Sequence, residues 1–444
     1  MCCDVMIIGS GIAGLSAAIE AKQTADHVLI IEKLPAPGGN SVISDGGIGV
    51  VGSDLQDKYG IEDSVDLLVE DMLRAGEHKN NEDLVRMIAK HSNQAYEWTK
   101  EIGVEYLDRV DFFGGHSVPR CLTPTNRSGR DIVRVLHKHA KAIGVDMVFN
   151  TEVTDIMIEN GRATKATVRQ KDLTRTYTIK QSLVIASGGF GSDKKMIEKY
   201  DKRFATLDST NLPSAKGDML RIMDKIGAVL IDMEEIQCGP WASPDENGFG
   251  IGPLFADYIA LPYGILINPD KGTRFVNERA DRKIVTEEML GMPYALAFAD
   301  RAMVDDCGWD LSTLIKKGIV RTFDEMEAIA GTYKMDKETL IETIDIYNRR
   351  FNDKKDDAFG KDLEGLSPLE TPPFYVMKTV PKVHHTMGGI KIDTQARVIK
   401  EDGQHFKNIR AAGECAGGVH GASRLGSMAI MDCLVMGRNA GRTV

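Results

Sequence analysis

Short apolar runs and one helical period alternate along the first forty residues. Residues 4–8 form an apolar run of strand length, residues 15–21 an Ala-rich stretch with helical apolar spacing, and residues 28–31 a second all-apolar run. Gly9-Ser10-Gly11-Ile12-Ala13-Gly14 separates the first run from the helix. Strand, glycine turn, helix and strand in that order predict the opening of a parallel sheet in an α/β fold. Near the other end, residues 409–414 read as a short strand running into another glycine turn, and residues 429–437 as a helix. Between these ends, residues 312–352 are charged and helix-patterned with no glycine fingerprint, and residues 368–373, with their Pro-Pro pair, predict a hinge.

At 444 residues the chain exceeds one typical domain, so a second lobe or a large insertion is expected. Apolar residues make up 42% and charged residues 27%, which excludes disorder. A net charge of −10 argues against a nucleic-acid or anionic-membrane surface, because such surfaces need excess Lys and Arg. No run approaches the roughly 18 apolar residues that cross a bilayer, and the chain opens on a strand instead of a secretion signal. A cytoplasmic location is therefore expected. Seven cysteines are scattered without CxxC or CxxCH spacing, which predicts free thiols in a reducing compartment and no zinc, iron–sulfur or haem site.

The glycine turn carries the first chemistry. Its first Gly permits the tight turn, its second lets a pyrophosphate approach the backbone, and its third lets helix pack on strand. The helix start then offers free N–H groups and a positive dipole end. Glu32 ends the second strand 23 positions after Gly9, where a carboxylate accepts both ribose hydroxyls. Beyond it come Pro37-Gly38-Gly39-Asn40-Ser41 and Ser44-Asp45-Gly46-Gly47-Ile48-Gly49. Such dense glycine suits backbone running along an extended cofactor with a flat ring, which favours FAD over NAD.

With these motifs, residues 184–191, Arg274-Phe275-Val276-Asn277-Glu278 with Arg282, His384-His385-Thr386-Met387-Gly388-Gly389 and residues 413–426, the chain resembles the flavin subunits of fumarate reductases. The resemblance is to the soluble flavocytochrome c type and its relatives, such as urocanate reductases. It spans nearly the whole chain and implies a Rossmann-like FAD-binding domain, residues 1–236 and 373–444, with an inserted α+β capping domain, residues 237–372. Candidate cofactor contacts are Gly9, Gly11, Ile12, Ala13, Gly14, Glu32, Lys33, Gly39, Asn40, Ser41, Gly46, Gly47 and Val153. Ser187, Gly188, His385, Gly413, Glu414, Arg424, Ser427, Met428 and Ala429 complete the set. Some quinol-linked members attach FAD to a His in the glycine segment after the ribose acid. None stands there in this chain, so non-covalent FAD is expected.

The resemblance implies reduction of an activated C=C bond in an unsaturated carboxylate. Such chemistry needs a hydride for the β-carbon, a proton for the α-carbon and cations for the carboxylate. His384 and Arg424 match the carboxylate-binding pair, and Arg282 the proton donor. Arginine suits the first task because its planar fork stays charged. It suits the second only at the end of a relay that replaces the lost proton. That relay departs from the family pattern here, with Asp257 at the position of its glutamate and Ala260 at that of its second arginine. Asp257 then either carries protons or binds a polar group of the substrate.

A second departure concerns the far end of the substrate. Fumarate reductases hold the far carboxylate with a His in Gln-x-His-Pro-Thr, whereas this chain reads Gln237-Cys238-Gly239-Pro240-Trp241. Gly239 has no side chain to bind a carboxylate, and Trp241, Phe255 and Tyr258 add aromatic surface. The expectation is a roomier, less cationic pocket for a monocarboxylate with a bulkier or aromatic far end. His116, in a glycine-flanked segment, is able to reach the site, and His420 is expected to act through its backbone. Alternatives are fumarate reduction proper, a ketosteroid-like dehydrogenase, which would place tyrosines at His384 and Arg424, and a non-catalytic flavin-binding protein, which has no use for Arg282. With no second redox-group motif, electrons are expected from a separate carrier or partner chain.

Overall fold

The computed structural model describes residues 1–353, 355–356 and 358–444. Its first sheet has eight strands, five of them parallel in the spatial order His405–Ala411, Leu173–Ile185, Cys2–Ile8, Val28–Ile31 and Asp146–Val148. Val5 lies opposite Val28 and Ile8 opposite Ile31. Arg397–Ile399 flanks one edge, and the hairpin Glu152–Glu159 with Arg162–Gln170 pairs onto Leu173–Ile185. Every residue of Val28–Ile31 is buried, as expected of a parallel sheet covered on both faces.

The helix Ile12–Ala21 explains its own composition. All ten of its residues are buried, so it has no polar face to show. Small residues let the C-terminal helix Met428–Arg442 approach it: a methyl group at Gly437 would lie 2.5 Å from the Ala13 carbonyl oxygen, and one at Gly441 2.2 Å from that of Ala17. Its buried Glu20 is paired by Arg438 and Arg442.

The second sheet is antiparallel and has six strands. Ile236–Ala242 pairs with the long strand Phe374–Thr386, which pairs with Ala295–Ala299 and then Ile265–Asn268 and Thr273–Arg274. The charged stretch read as helical does contain Ser312–Lys316, Met326–Tyr333 and Lys337–Arg349. It also contains the strand Val320–Phe323, which forms because Phe374–Thr386 offers it a ladder, a long-range partner invisible to local periodicity.

Two hydrophobic cores result. One surrounds the parallel sheet and includes Cys238 and Val383; the other runs from Trp241 to Met377. Cys238 and Val383 are register partners. The strands Ile236–Ala242 and Phe374–Thr386 therefore pass together from one core to the other, and they carry Trp241 and His384 at the crossing.

Candidate active site

The nucleotide end is built from backbone. Gly9 turns at φ +104°, and a methyl group there would lie 2.2 Å from the Ala186 carbonyl oxygen; one at Gly14 would lie 2.0 Å from the carbonyl oxygen of Gly9. Both positions exclude side chains, which leaves the N-terminus of Ile12–Ala21 bare for an anion. Glu32 is 5% exposed. Its Oε2 accepts from the Ser10 amide at 2.9 Å and hydroxyl at 2.7 Å, and its Oε1 from the Leu34 amide at 2.8 Å. A carboxylate has about four lone-pair sites, so capacity remains for a ribose.

Three adjoining cavities extend from this turn. The first is lined by Gly9, Gly11, Ile12, Ala13, Glu32 and Lys33, with Gly39, Asn40, Ser41, Ser187, Gly188, Gly413 and Glu414 across from them. A second shares Glu32, Lys33 and Ser187 and reaches Val153. A third continues past Asn40, Ser41 and Glu414 to His384, His385, Arg424 and Ala429. His385 Nε2 and Arg424 Nε are buried and have no hydrogen-bond partner among the described residues. A bare phosphate turn, a ribose acid, an elongated groove and orphaned polar atoms along it fit FAD. Lys33 pairs with Asp218 at 2.7 Å, and Asn40 is tied to Asn211 and Leu212.

Gly14, Gly46, Gly47, Ser427 and Met428 are not among the lining residues of the three cavities. Ser427, at φ +60°, caps Met428–Arg442, and its Oγ would lie 2.9 Å from a methyl group at Gly47. The Met428 sulfur fills the space over Gly49, where a methyl group would meet it at 2.5 Å.

The far end of the groove holds the charged cluster. Arg424 is 4% exposed; its Nη1 donates to the Leu425 carbonyl at 3.2 Å, its Nε has no acceptor, and no carboxylate pairs with it among the described residues. Burial, then repulsion from Arg282, pulls its pKa down to about 9. Its charge survives at neutral pH. His384 Nδ1 lies 2.8 Å from the Thr210 hydroxyl, and burial, then Arg424 and Arg282, holds the imidazole neutral, well below its usual range. Arg282 opens the helix Arg282–Met289 behind the cap Asp281; its Nη2 donates to Asp257 Oδ2 at 3.2 Å. Burial raises Asp257 above the usual carboxylate range against the pull of Arg282.

Asp257 and Arg282 line a pocket of their own, separate from the one lined by His384 and Arg424. Trp241 contacts both. Its ring centroid is 4.2 Å from the Arg282 guanidinium carbon and 5.2 Å from the His384 ring, which meets it edge-on. The expected room beside Gly239 is absent. A methyl group at Gly239 would lie 2.6 Å from Cζ2 of Trp241, so the indole fills the space that the missing side chain leaves. Phe255 is buried in the second core and the Tyr258 hydroxyl donates to Asp45 Oδ2 at 2.7 Å; neither they nor Trp241 are among the residues that line the two pockets.

His116 is placed differently from its expected reach into the site. It is buried, its Nε2 lies 2.9 Å from the Gly426 carbonyl and its Nδ1 3.1 Å from Arg120, and burial lowers its pKa to about 4. A neutral His116 thus anchors the loop that carries Arg424. The His420 side chain packs on the His385 ring at 5.4 Å and faces Asp432 at 3.7 Å. Sequence reasoning missed Ser10, which grips Glu32, and Thr210, which orients His384. Ser10 lies inside the glycine fingerprint and was readable; Thr210 sits in an aperiodic loop with no local signal.

Comparison with known proteins agrees with this geometry. The FAD binding domain family matches residues 4–430. The acrylate reductase flavoprotein subunit of Shewanella woodyi is 35% identical over 99% of this chain and 90% of its own length. The probable fumarate reductase Ifc3 of Shewanella frigidimarina is 32% identical over 99% of this chain and 74% of its own. The open conformation of a flavocytochrome c3 fumarate reductase superposes with a TM-score of 0.80 at 31% identity, over 99% of this chain and 78% of that one. The chain belongs to the FAD binding domain family and, within it, to the FAD-dependent reductases of C=C bonds that include the fumarate and acrylate reductases.

Proposed function

We propose that this chain binds FAD non-covalently and reduces the C=C bond of an unsaturated monocarboxylate, drawing electrons from a separate donor. The observation that carries this reading is Arg424, a buried guanidinium facing the groove with an idle Nε and no carboxylate partner among the described residues. A buried charge with no carboxylate in contact is costly, and a substrate carboxylate offsets that cost beyond the weaker attraction of Asp45, Asp257 and Glu414. Arg424 grips it with its planar fork. With the Thr210 hydroxyl donating to Nδ1 of the neutral His384, the Nε2–H is free to donate to the same carboxylate.

Reduced FAD supplies the hydride for the β-carbon. Arg282 gives the α-carbon its proton and stays attached to a replacement source, because buried Asp257 keeps its own proton to higher pH and touches Arg282 at 3.2 Å. One hydride and one proton add across the double bond. Two cations at the site favour a carboxylate over a ketosteroid. Non-covalent attachment is supported by the absence of His from residues 37–49. A division into a cofactor lobe, residues 1–236 and 373–444, and a cap, residues 237–372, is supported in outline by the two cores, although Cys238 belongs to the first core and Phe374, Val376 and Met377 to the second, so the cores change over between 238 and 241 and between 377 and 383. A cytoplasmic location is supported by seven free thiols; among the described residues no helix is long and apolar enough to cross a membrane.

The test is anaerobic. Dye-reduced holoprotein is mixed with acrylate, crotonate, fumarate and urocanate, and flavin absorbance is followed. Rapid reoxidation by at least one enoate is expected, and failure of all of them would overturn the reading.

A further inference from the structure

We infer that the pocket lined by Asp257 and Arg282 is the proton inlet of the site: water in it reloads Asp257 from solvent, past a rim formed by Gly114 and Arg279. This rests on the enoate reading above. Each turnover takes one proton from Arg282, and Arg282 regains it from Asp257, whose Oδ2 it touches at 3.2 Å. Asp257 must then be reloaded. No side chain is placed to do so. Among the described residues Arg282 is the only side chain hydrogen-bonded to Asp257, and Ala260, three positions on in the turn Ala256–Ala260, offers a buried methyl group.

The pocket supplies the missing step. Asp257, Glu278, Arg279 and Arg282 line it together, and its volume of about 30 Å³ gives room for one or two waters. The side chains of Asp257 and Arg282 keep 12% and 14% exposure, so neither is sealed off. Gly114 on the pocket wall is exposed and Arg279 half-buried, whereas Leu261 and Val285 are buried, so the pocket runs from the surface inward. Its other acid, Glu278, is already committed: it pairs with Arg274 and Lys361 and accepts from the Leu266 amide. Against the cost of burial, Lys361 and Arg274 hold it ionised, below the usual carboxylate range. Asp257 is held above that range by burial and carries the proton. When it passes that proton to Arg282, an O–H bond of the pocket water breaks as the carboxyl O–H forms again, and the water takes its replacement proton from solvent.

Two variants of the holoprotein test the inlet. A methyl group at Gly114 would already lie 3.3 Å from the Arg279 carbonyl oxygen, so Gly114→Leu crowds the rim. Its kcat at saturating enoate should fall at least about tenfold and its solvent isotope effect should rise, because proton delivery becomes limiting. FAD content and the Kd for butyrate on oxidised holoprotein should stay at parent values. Asp257→Gly removes the acid and should be slow; formate, small enough for the pocket, should restore its kcat about tenfold, and pivalate, too large for it, should not. Adding Gly114→Leu to this variant should abolish the formate effect. An unchanged kcat and isotope effect in Gly114→Leu, or formate rescue that persists in the double variant, would show protons entering elsewhere and overturn the inference. If Gly114→Leu fails to hold FAD, Asp257→Gly decides alone: rescue by both acids, or by neither, overturns the inlet. If the parent turns over no enoate at all, the enoate reading itself falls and takes this inference with it.

Discussion

Replacing Arg424 by methionine should weaken substrate binding and stabilise the substrate-free holoprotein at the same time. The parent holds a guanidinium whose pKa falls from 12.5 to about 9 through burial and repulsion from Arg282. Each unit of such a shift corresponds to about 1.4 kcal/mol against the charged form, so the cost is on the order of several kcal/mol. Methionine preserves an unbranched stem and fills the space without charge. It forfeits the bond to the Leu425 carbonyl, worth about 1 kcal/mol. The net gain should be about 1–3 kcal/mol.

Loss of binding runs the other way. Two charge-assisted bonds to a carboxylate, worth about 1.5–3 kcal/mol each, should vanish, raising Kd for a saturated monocarboxylate by roughly two to four powers of ten. Urea unfolding is the better stability assay, because a chain of 444 residues shifts its Tm by only about 1 °C per kcal/mol. The pH dependence has a definite sign. A base with a depressed folded pKa destabilises the fold while it is charged, so the advantage of the variant is complete at pH 7 and shrinks as pH rises past about 9. A variant less stable than the parent at pH 7, or one that binds monocarboxylate normally, would refute the assignment of Arg424 as an anion site.

Three further outcomes are expected. Acid-precipitated protein should leave its FAD in the supernatant, and Glu32→Ala should weaken FAD binding about 10- to 150-fold, since hydrogen bonds to a charged acceptor are worth roughly 1.5–3 kcal/mol; flavin left on the pellet would contradict the first. Arg282→Ala should cut turnover by about 10²–10⁴ with unchanged FAD content, the usual yield of a general acid, and near-normal turnover would remove it from the mechanism. In the parent, kcat should fall as pH rises through the elevated pKa of Asp257, because the protonated carboxyl feeds Arg282; Asp257→Asn should be slower and lack that limb, as pH–rate profiles of the two will reveal.

Much of the fold was legible because its strongest signals are local. The glycine turn, the run 28–31 and the Ala-rich helix each follow from neighbours in sequence, and their structured bounds, Ile12–Ala21 and Val28–Ile31, start or end within a few residues of the pattern. Val320–Phe323 escaped because its strand character is supplied by Phe374–Thr386, about fifty residues downstream. The length of that strand escaped for the same reason: it serves both cores, and no local pattern records that two cores exist.

The site shows the same division at the scale of single residues. Glu32, Arg282, His384 and Arg424 sit inside motifs and were readable as positions, but their chemical state was not. That Arg424 has no carboxylate partner among the described residues while Asp257 takes Arg282 depends on segments distant in sequence, the turn Ala256–Ala260, the start of Arg282–Met289 and the glycine-rich stretch that carries Arg424. Gly239 is the instructive error. A glycine in a sequence reads as vacant space, yet in a packed interior at organic-crystal density a vacancy is taken up by whatever side chain reaches it. Two positions along the same strand a tryptophan was available, and its ring lies where a methyl group at 239 would be 2.6 Å away. The indole of Trp241 therefore takes the space beside Gly239 that the sequence read as open, so residues 239 and 241 are packed as a pair.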